Sequence, residues 1–311
     1  FDGVTFAAPA DFKHVRFVER LTMRASSAAG MQAVDMSHAV LAGGRITQPA
    51  EDPAVYDLTG ATLGEVRLAG DRRDLFDEFR FCNTTFDDFD FTRHKESLAR
   101  NDWVIHEWVA AESSRFPDVE PVTDPATLES TYLKAKNGAA DFGDRKAASE
   151  FFIKEMTYRR RKNAAIAFRA DGDADGAVDA LDRLTAAGKW VGNGVLYQTC
   201  GYGERLWRVI YISAIAIVAW GFLYATMTEG TRGASDLTTE GIDGLGALVT
   251  PSGLITLSKN LYFSMITFTT LGYGDIQPVG TTARTLAGLE SFLGALLLAL
   301  VVFVLGRRVA W

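Results

Sequence analysis

The residues whose types and spacing could do chemistry lie mostly in the last third of this 311-residue chain. Thr269-Thr270-Leu271-Gly272-Tyr273-Gly274-Asp275 sets two hydroxyls, two glycines and a carboxylate in one short run. Gly272 and Gly274 permit backbone angles that a side chain would block. Further on, Glu290 is the one ionisable group deep in an apolar stretch, and such a group is by default a functional candidate. Upstream, Asp171, Asp173, Asp175 and Gly176 fit the first half of a calcium-binding loop. Its twelfth position is Asp182, too short for the usual bidentate grip, so Ca²⁺ or Mg²⁺ there is a minority reading beside an acidic turn that caps a helix. The four histidines (His14, His38, His94, His106) form no i,i+4 pair, and Cys82 and Cys200 stand 118 residues apart. Neither a metal spacing nor a disulfide framework follows, and two reduced thiols in a cytoplasmic compartment are the plain reading. No catalytic constellation is present, and no catalytic cofactor or enzyme activity is expected.

The elements that must position these residues are membrane-like. No charge occurs between Arg208 and Glu229, and Glu290 is the single charge between Arg284 and Arg307. Each stretch is long enough to cross about 30 Å of hydrocarbon as a helix. Spans are expected at about 207–228 and 285–306, with Trp207, Tyr211, Trp220 and Tyr224 as interfacial anchors. Arg205, Arg208, Arg307 and Arg308 flank the outer ends of the pair and place both termini in the cytoplasm. Between the spans, 229–257 reads as an exposed loop rich in Gly, Thr and Ser. Ser258–Thr269 reads as a helix too short to span, followed by Gly-Tyr-Gly, hence a re-entrant loop over 258–275.

Thr269–Asp275 resembles the selectivity filter of potassium channels. Pro278, Arg284 at the start of the second span, and Gly294 at the place of an inner-helix hinge glycine agree with it. The resemblance covers about residues 207–308. It implies a two-span channel subunit that needs three identical partners to close a ring. Carbonyls of Thr270, Leu271, Gly272 and Tyr273, with the Thr270 hydroxyl and Gly274 completing the strip, would replace the hydration shell of a permeant K⁺. Tyr273 would hold the ring diameter, and Asp275 at the outer mouth would concentrate cations. Gly294 would be the gate hinge. Two departures stand out. Ile266 occupies the pore-helix position where some relatives carry a Glu paired with the filter Asp. Tyr262 replaces a frequent Trp, and could still bond Asp275. Glu290 has two readings, a structural hydrogen bond behind the filter or a gating role. A nonselective cation pore and a membrane-anchored interaction scaffold are the alternatives.

The first 206 residues differ in kind. Residues 207–311 hold 12 charges with no net charge, so the whole net charge of −7 lies upstream. The mean hydropathy of +0.03 averages two unlike halves. This balance excludes a disordered chain and a basic nucleic-acid binder. Asp outnumbers Glu 24 to 15 and Arg outnumbers Lys 23 to 9, similar to proteins of salt-loving archaea.

Large apolar residues recur every five positions: Phe1 and Phe6; Phe12 and Phe17; Met36, Leu41 and Ile46; Leu58, Leu63 and Leu68; Phe76, Phe81, Phe86 and Phe91. Neither a helix nor a strand has that period. It resembles pentapeptide-repeat proteins, which implies a right-handed β-helix over 1–110 with insertions near 18–35, 47–56 and 69–75. A linker follows over 111–125. Asp124-Pro125 and Asp144 start two helices, with Leu128, Tyr132 and Ala135 on one face and Ala148, Phe151, Phe152 and Met156 apolar on the other helix. They form a cytoplasmic helical hairpin domain over 111–188 that couples the repeat to the pore. The run Arg159–Lys162 reads as a solvated face or a lipid contact. Residues 189–206 form an interfacial connector with Gly201 and Gly203 in a turn, and 207–311 the pore domain. The expected whole is a multidomain membrane protein: β-helix, helical coupler, then an all-α two-span pore with a re-entrant loop. Its N-terminal part would regulate or scaffold gating through a cytoplasmic regulator of unknown kind.

Overall fold

The computed structural model describes residues 1–27, 33–51, 53–70, 75–108, 122–168, 179–226 and 250–310, with side chains through 306. Two compact units divide the chain, Phe1–Asn193 and Gly194–Trp311.

The first unit opens with a β-solenoid of about three turns. Strands β1 (Asp2–Phe6), β3 (Arg16–Ser27), β5 (Val40–Gln48), β7 (Thr62–Gly70) and β9 (Thr85–Phe86) form one parallel sheet in that order. Strands β2 (Ala10–Asp11), β4 (Ala33–Asp35), β6 (Val55–Asp57) and β8 (Phe79–Arg80) form the other. Phe17 lies opposite Leu41, Leu41 opposite Leu63 and Leu63 opposite Phe86, so a coil takes 22 to 24 residues. Four pentads would take 20, and the excess is the register slip seen between the sequence runs. Met36, Leu41, Ile46, Leu58, Leu63, Leu68, Phe76, Phe81, Phe86 and Phe91 are all buried, as the five-residue period requires. Phe6, Phe12 and Phe17 pack half-buried against them, and Phe1 is exposed. Burying each large side chain contributes about 1.5–3 kcal/mol.

The expected insertion at 18–35 is mostly strand. Leu21, Met23 and Ala25 alternate inward with outward Thr22 and Arg24, a period of two that a search for pentads passes over. Each coil also has a corner with left-handed backbone, at His14 (φ 58°), His38 (φ 59°), Gly60 (φ 67°) and Asn83 (φ 54°). The His14 and His38 rings stack at 5.0 Å, and a Cβ at Gly60 would lie 2.5 Å from His38 Nδ1.

Helices α1 (Lys95–Arg100), α2 (Pro125–Asp141) and α3 (Arg145–Ala167) follow. The Asp124 carboxylate accepts from the Ala126 and Thr127 amides and Asp144 from Ala147, the capping that starts α2 and α3. The hairpin has no separate core. Tyr132, Ala135 and Phe151 join the solenoid residues in one cluster, and Gly138 lies so close to Phe86 that a Cβ would sit 2.5 Å from the Phe86 Cβ. Thr131 Oγ1 accepts from the Asn83 amide at 2.8 Å, and Lys134 Nζ donates to the Asn83 carbonyl at 2.9 Å. The hairpin therefore closes the last coil. Phe152 and Met156 are half-buried, while Ile153, Glu155 and Tyr158 take the inner positions.

Buried Glu155 accepts from Lys136 at 2.8 Å and Arg159 at 2.6 Å, and Glu129 accepts from Arg159 and Lys162. Arg161 lies over the Tyr158 ring. Three members of the Arg159–Lys162 run are thus engaged within the hairpin. His94 and His106 are buried beside this core; burial drives both imidazoles down to about 4, helped at His106 by nearby Lys154. His106 Nδ1 lies 2.9 Å from the Tyr132 hydroxyl.

Helix α4 (Ala180–Cys200) runs unbroken through the expected boundary at 188–189, and a turn follows at Gly201–Gly203. In the second unit come α5 (Leu206–Thr226), α6 (Pro251–Phe268) and α7 (Gly280–Ala310). Leu206–Thr226 and Gly280–Gly306 are long and apolar enough to cross a membrane.

Candidate ion-conducting site

Helix α6 starts seven residues before the expected Ser258, inside what reads as an outer loop. Thr250 Oγ1 accepts from the Gly253 amide and Pro251 takes the first helical position. Thr-Pro is a start signal, but the small polar residues around it read as loop. The helix ends at Phe268 with its partial negative end turned toward the run Thr269–Asp275.

That run folds back on the helix end. The amides of Leu271 and Gly272 donate to the Ile266 carbonyl at 3.0 and 3.4 Å, and the amide of Thr270 to Thr267 at 3.1 Å. Positive φ recurs at every second residue: Thr270 (55°), Gly272 (51°) and Gly274 (79°). For a β-branched residue this is a strained conformation, so Thr270 joins the two glycines as a backbone position set by its surroundings. The Thr270 hydroxyl donates to the Thr269 carbonyl at 2.7 Å. Residues 270–275 are exposed in the single chain, Leu271 at 59% and Tyr273 at 69%. Tyr262 lies near enough to the Asp275 carboxylate to interact with it. An open recess of about 380 Å³ borders the run, lined by Thr267, Thr270, Gly272, Gly274 and Ser291.

Ile266 does not pair with Asp275. Its side chain is buried with Tyr224, Phe263, Ile276 and Ala287, and its carbonyl holds the run.

Glu290 is 1% exposed and ties three helices together. Its Oε2 accepts from the Tyr224 hydroxyl on α5 at 2.8 Å, and its Oε1 from the Ser264 hydroxyl on α6. The same Ser264 Oγ lies 2.8 Å from the Ile217 carbonyl. Tyr224, expected as an interfacial anchor, is thus an interior partner, and Trp220 also turns inward to donate to the Leu286 carbonyl. Trp207 and Tyr211 remain exposed. The sequence reading passed over Ser264; its signal was its place on the α6 face that also carries Asn260 and Phe268.

Gly294 lies inside an unbroken α7, against the end of α6. A Cβ there would sit 2.0 Å from the Phe268 carbonyl oxygen. Small residues at such crossings let helix backbones approach. Of the acidic loop, Asp171, Asp173 and Asp175 lie outside the described residues, and Asp182 sits in the first turn of α4. Among the described residues no group of three or more His, Cys, Asp or Glu could hold a metal ion.

No curated protein and no solved structure matches the chain. Residues 237–310, about a quarter of its length, match the model of a protein family described as ion channel, which supports ion-channel function for the two-span unit.

Proposed function

We propose that this chain is a subunit of a potassium-selective channel, assembled as four copies around the run Thr270–Gly274. The observation that carries the reading is the alternation of positive φ at Thr270, Gly272 and Gly274, immediately after the C-terminus of α6, which lies between two membrane-length helices. Irregular backbone at membrane depth is tolerated only where protein or water covers it. Here one chain leaves the run exposed, and copies around an axis would cover it. Carbonyls of Thr270, Leu271, Gly272 and Tyr273 would then ring the path and replace the water of a dehydrating K⁺. The negative end of α6 favours a cation, as does Asp275 at the mouth.

In this reading Glu290 braces the filter from behind through Tyr224 and Ser264. Gly294 sets the contact between α7 and the filter base, and bending there would break that contact. Arg205 and Arg208 at the start of α5 favour a cytoplasmic N-terminal unit, whose role in this reading is to scaffold or regulate gating. The test is ion flux in liposomes holding the full-length chain. Potassium should pass at least tenfold faster than sodium, and Gly272→Ala should abolish that ratio. Equal permeability of the unsubstituted chain would overturn selectivity in favour of a nonselective cation pore.

A further inference from the structure

Helix α4 has two unlike sides. Ala186 and Asn193, seven residues apart, are 5% and 7% exposed, and Asn193 Nδ2 donates to the Met156 carbonyl at 3.3 Å. On the opposite side Leu181, Leu184, Gly188, Val191 and Val195 follow one another at intervals of three, four, three and four. Leu181 and Leu184 are 65% and 70% exposed, Val191 and Val195 53% and 54%, and a Cβ at Gly188 would meet nothing within 4 Å. Alternating intervals of three and four are the spacing of a coiled-coil seam, here over two heptads.

We propose that this seam packs against the same seam of other copies of the chain, as a short parallel bundle. Charge points to a second copy as the occupant. Identical parallel helices bring identical residues together beside the seam, so charges there would repel. The flanking positions are Thr185, Ala187, Gly192 and Gly194, all uncharged and small, and the three charged residues of α4 (Asp182, Arg183, Lys189) lie outside seam and flanks. Continuity points the same way. Five residues separate the end of α4 from the start of α5, six steps along the chain and a reach of at most about 22 Å. A ring of α5 helices therefore gathers the α4 ends. Two heptads are too short to associate alone, and the ring supplies the local concentration that makes them pair. The inference rests on the multi-copy reading of the pore.

Disulfide trapping in the full-length chain, reconstituted in phosphatidylcholine–phosphatidylglycerol liposomes, tests it. Leu184→Cys, Val191→Cys and Lys189→Cys are made singly and oxidised with copper phenanthroline; the native Cys82 and Cys200 are each 1% exposed and set the background. The seam variants should form covalent dimers at least fivefold faster than Lys189→Cys. Equal rates in the three variants would overturn the proposal. So would spin labels at 184 and 191 that report burial in lipid, which would make the stripe a bilayer-facing one. Particle mass and potassium flux of the unsubstituted chain are read alongside. A monomeric or non-conducting particle refutes the pore reading, whereas a conducting oligomer with an untrapped seam refutes this inference alone.

Discussion

The two units bury apolar side chains alike and differ in what they leave outside. In the solenoid unit Phe79, Phe81, Phe89 and Phe91 are fully enclosed, Arg20, Glu65 and Arg67 face outward, and the enclosed Glu155 is paired with Lys136 and Arg159. In the pore unit Phe292, Val302 and Phe303 are 59% to 69% exposed, while Glu290, Ser264 and Asn260 are sealed inside. The difference is one of solvent. Where water surrounds a fold, apolar area drives the interior together. Where lipid surrounds it, apolar area has no preference for the inside, and close approach and interhelical hydrogen bonds hold the helices. One chain folds by both rules, and a substitution that damages one unit should act differently in the other.

The largest effect is expected at Gly294→Val. Its Cβ would collide with the backbone oxygen of Phe268, which no side-chain rotation relieves, so pore assembly and liposome flux should be lost. Solenoid strand content, followed by circular dichroism, should remain. Preserved flux would show that α7 can stand off from α6 and that close approach does not hold the pore unit. Next is Phe81→Ala, which empties a site among Phe76, Phe79, Phe86 and Phe89. It should cost about 3–5 kcal/mol in urea unfolding of the N-terminal unit and leave the K⁺/Na⁺ flux ratio unchanged.

Acid separates the units more gently. His94 and His106 are held near 4 in the fold, below the usual value of about 6.5. Protons therefore bind the unfolded chain first. The N-terminal unit should be fully stable above pH 6.5 and lose stability as pH falls from 6.5 to 4, by about 1–3 kcal/mol per histidine. His106→Gln should flatten the pH dependence of its thermal midpoint; an unchanged slope would remove His106 from the account. The smallest effect is expected at Glu290→Gln, whose amide oxygen can still accept from Tyr224 or Ser264. A loss of about 1–2 kcal/mol in thermal stability with selectivity retained fits a brace. Complete loss of assembly would mean the charge itself is required.

How far the sequence revealed the fold also differed between the units. The five-residue period named ten residues that the solenoid buries, because one large side chain per side is what stacking coils demand. It passed over Tyr56 and Phe79, stacked at 5.0 Å, which sit between the pentads. It could not show that α2 and α3 share the solenoid core, since the contact depends on Gly138 meeting Phe86 across a distance in sequence. In the pore unit the spans and the Thr269–Asp275 run were plain, as both are local patterns. The partners of Glu290 were not, because Tyr224 and Ser264 are 66 and 26 residues away and an aromatic near a span end reads as an anchor. The early start of α6 was hidden by composition, although Thr250-Pro251 marked it.

The hairpin that covers the last coil gives the solenoid a direction of growth. On one sheet α2 packs beside β9; on the other the Phe81 amide donates to Ile105 and Trp108 Nε1 to the Tyr56 carbonyl, so the segment after α1 covers that end as well. Unpaired strand edges invite other chains to add on. At this end the described residues of α2 and of the segment after α1 lie over the last strands, and the stack terminates like a rod with a stopper. Among the described strands of the main sheet, β1 is the edge that no helix covers, so it is there that a further strand could add.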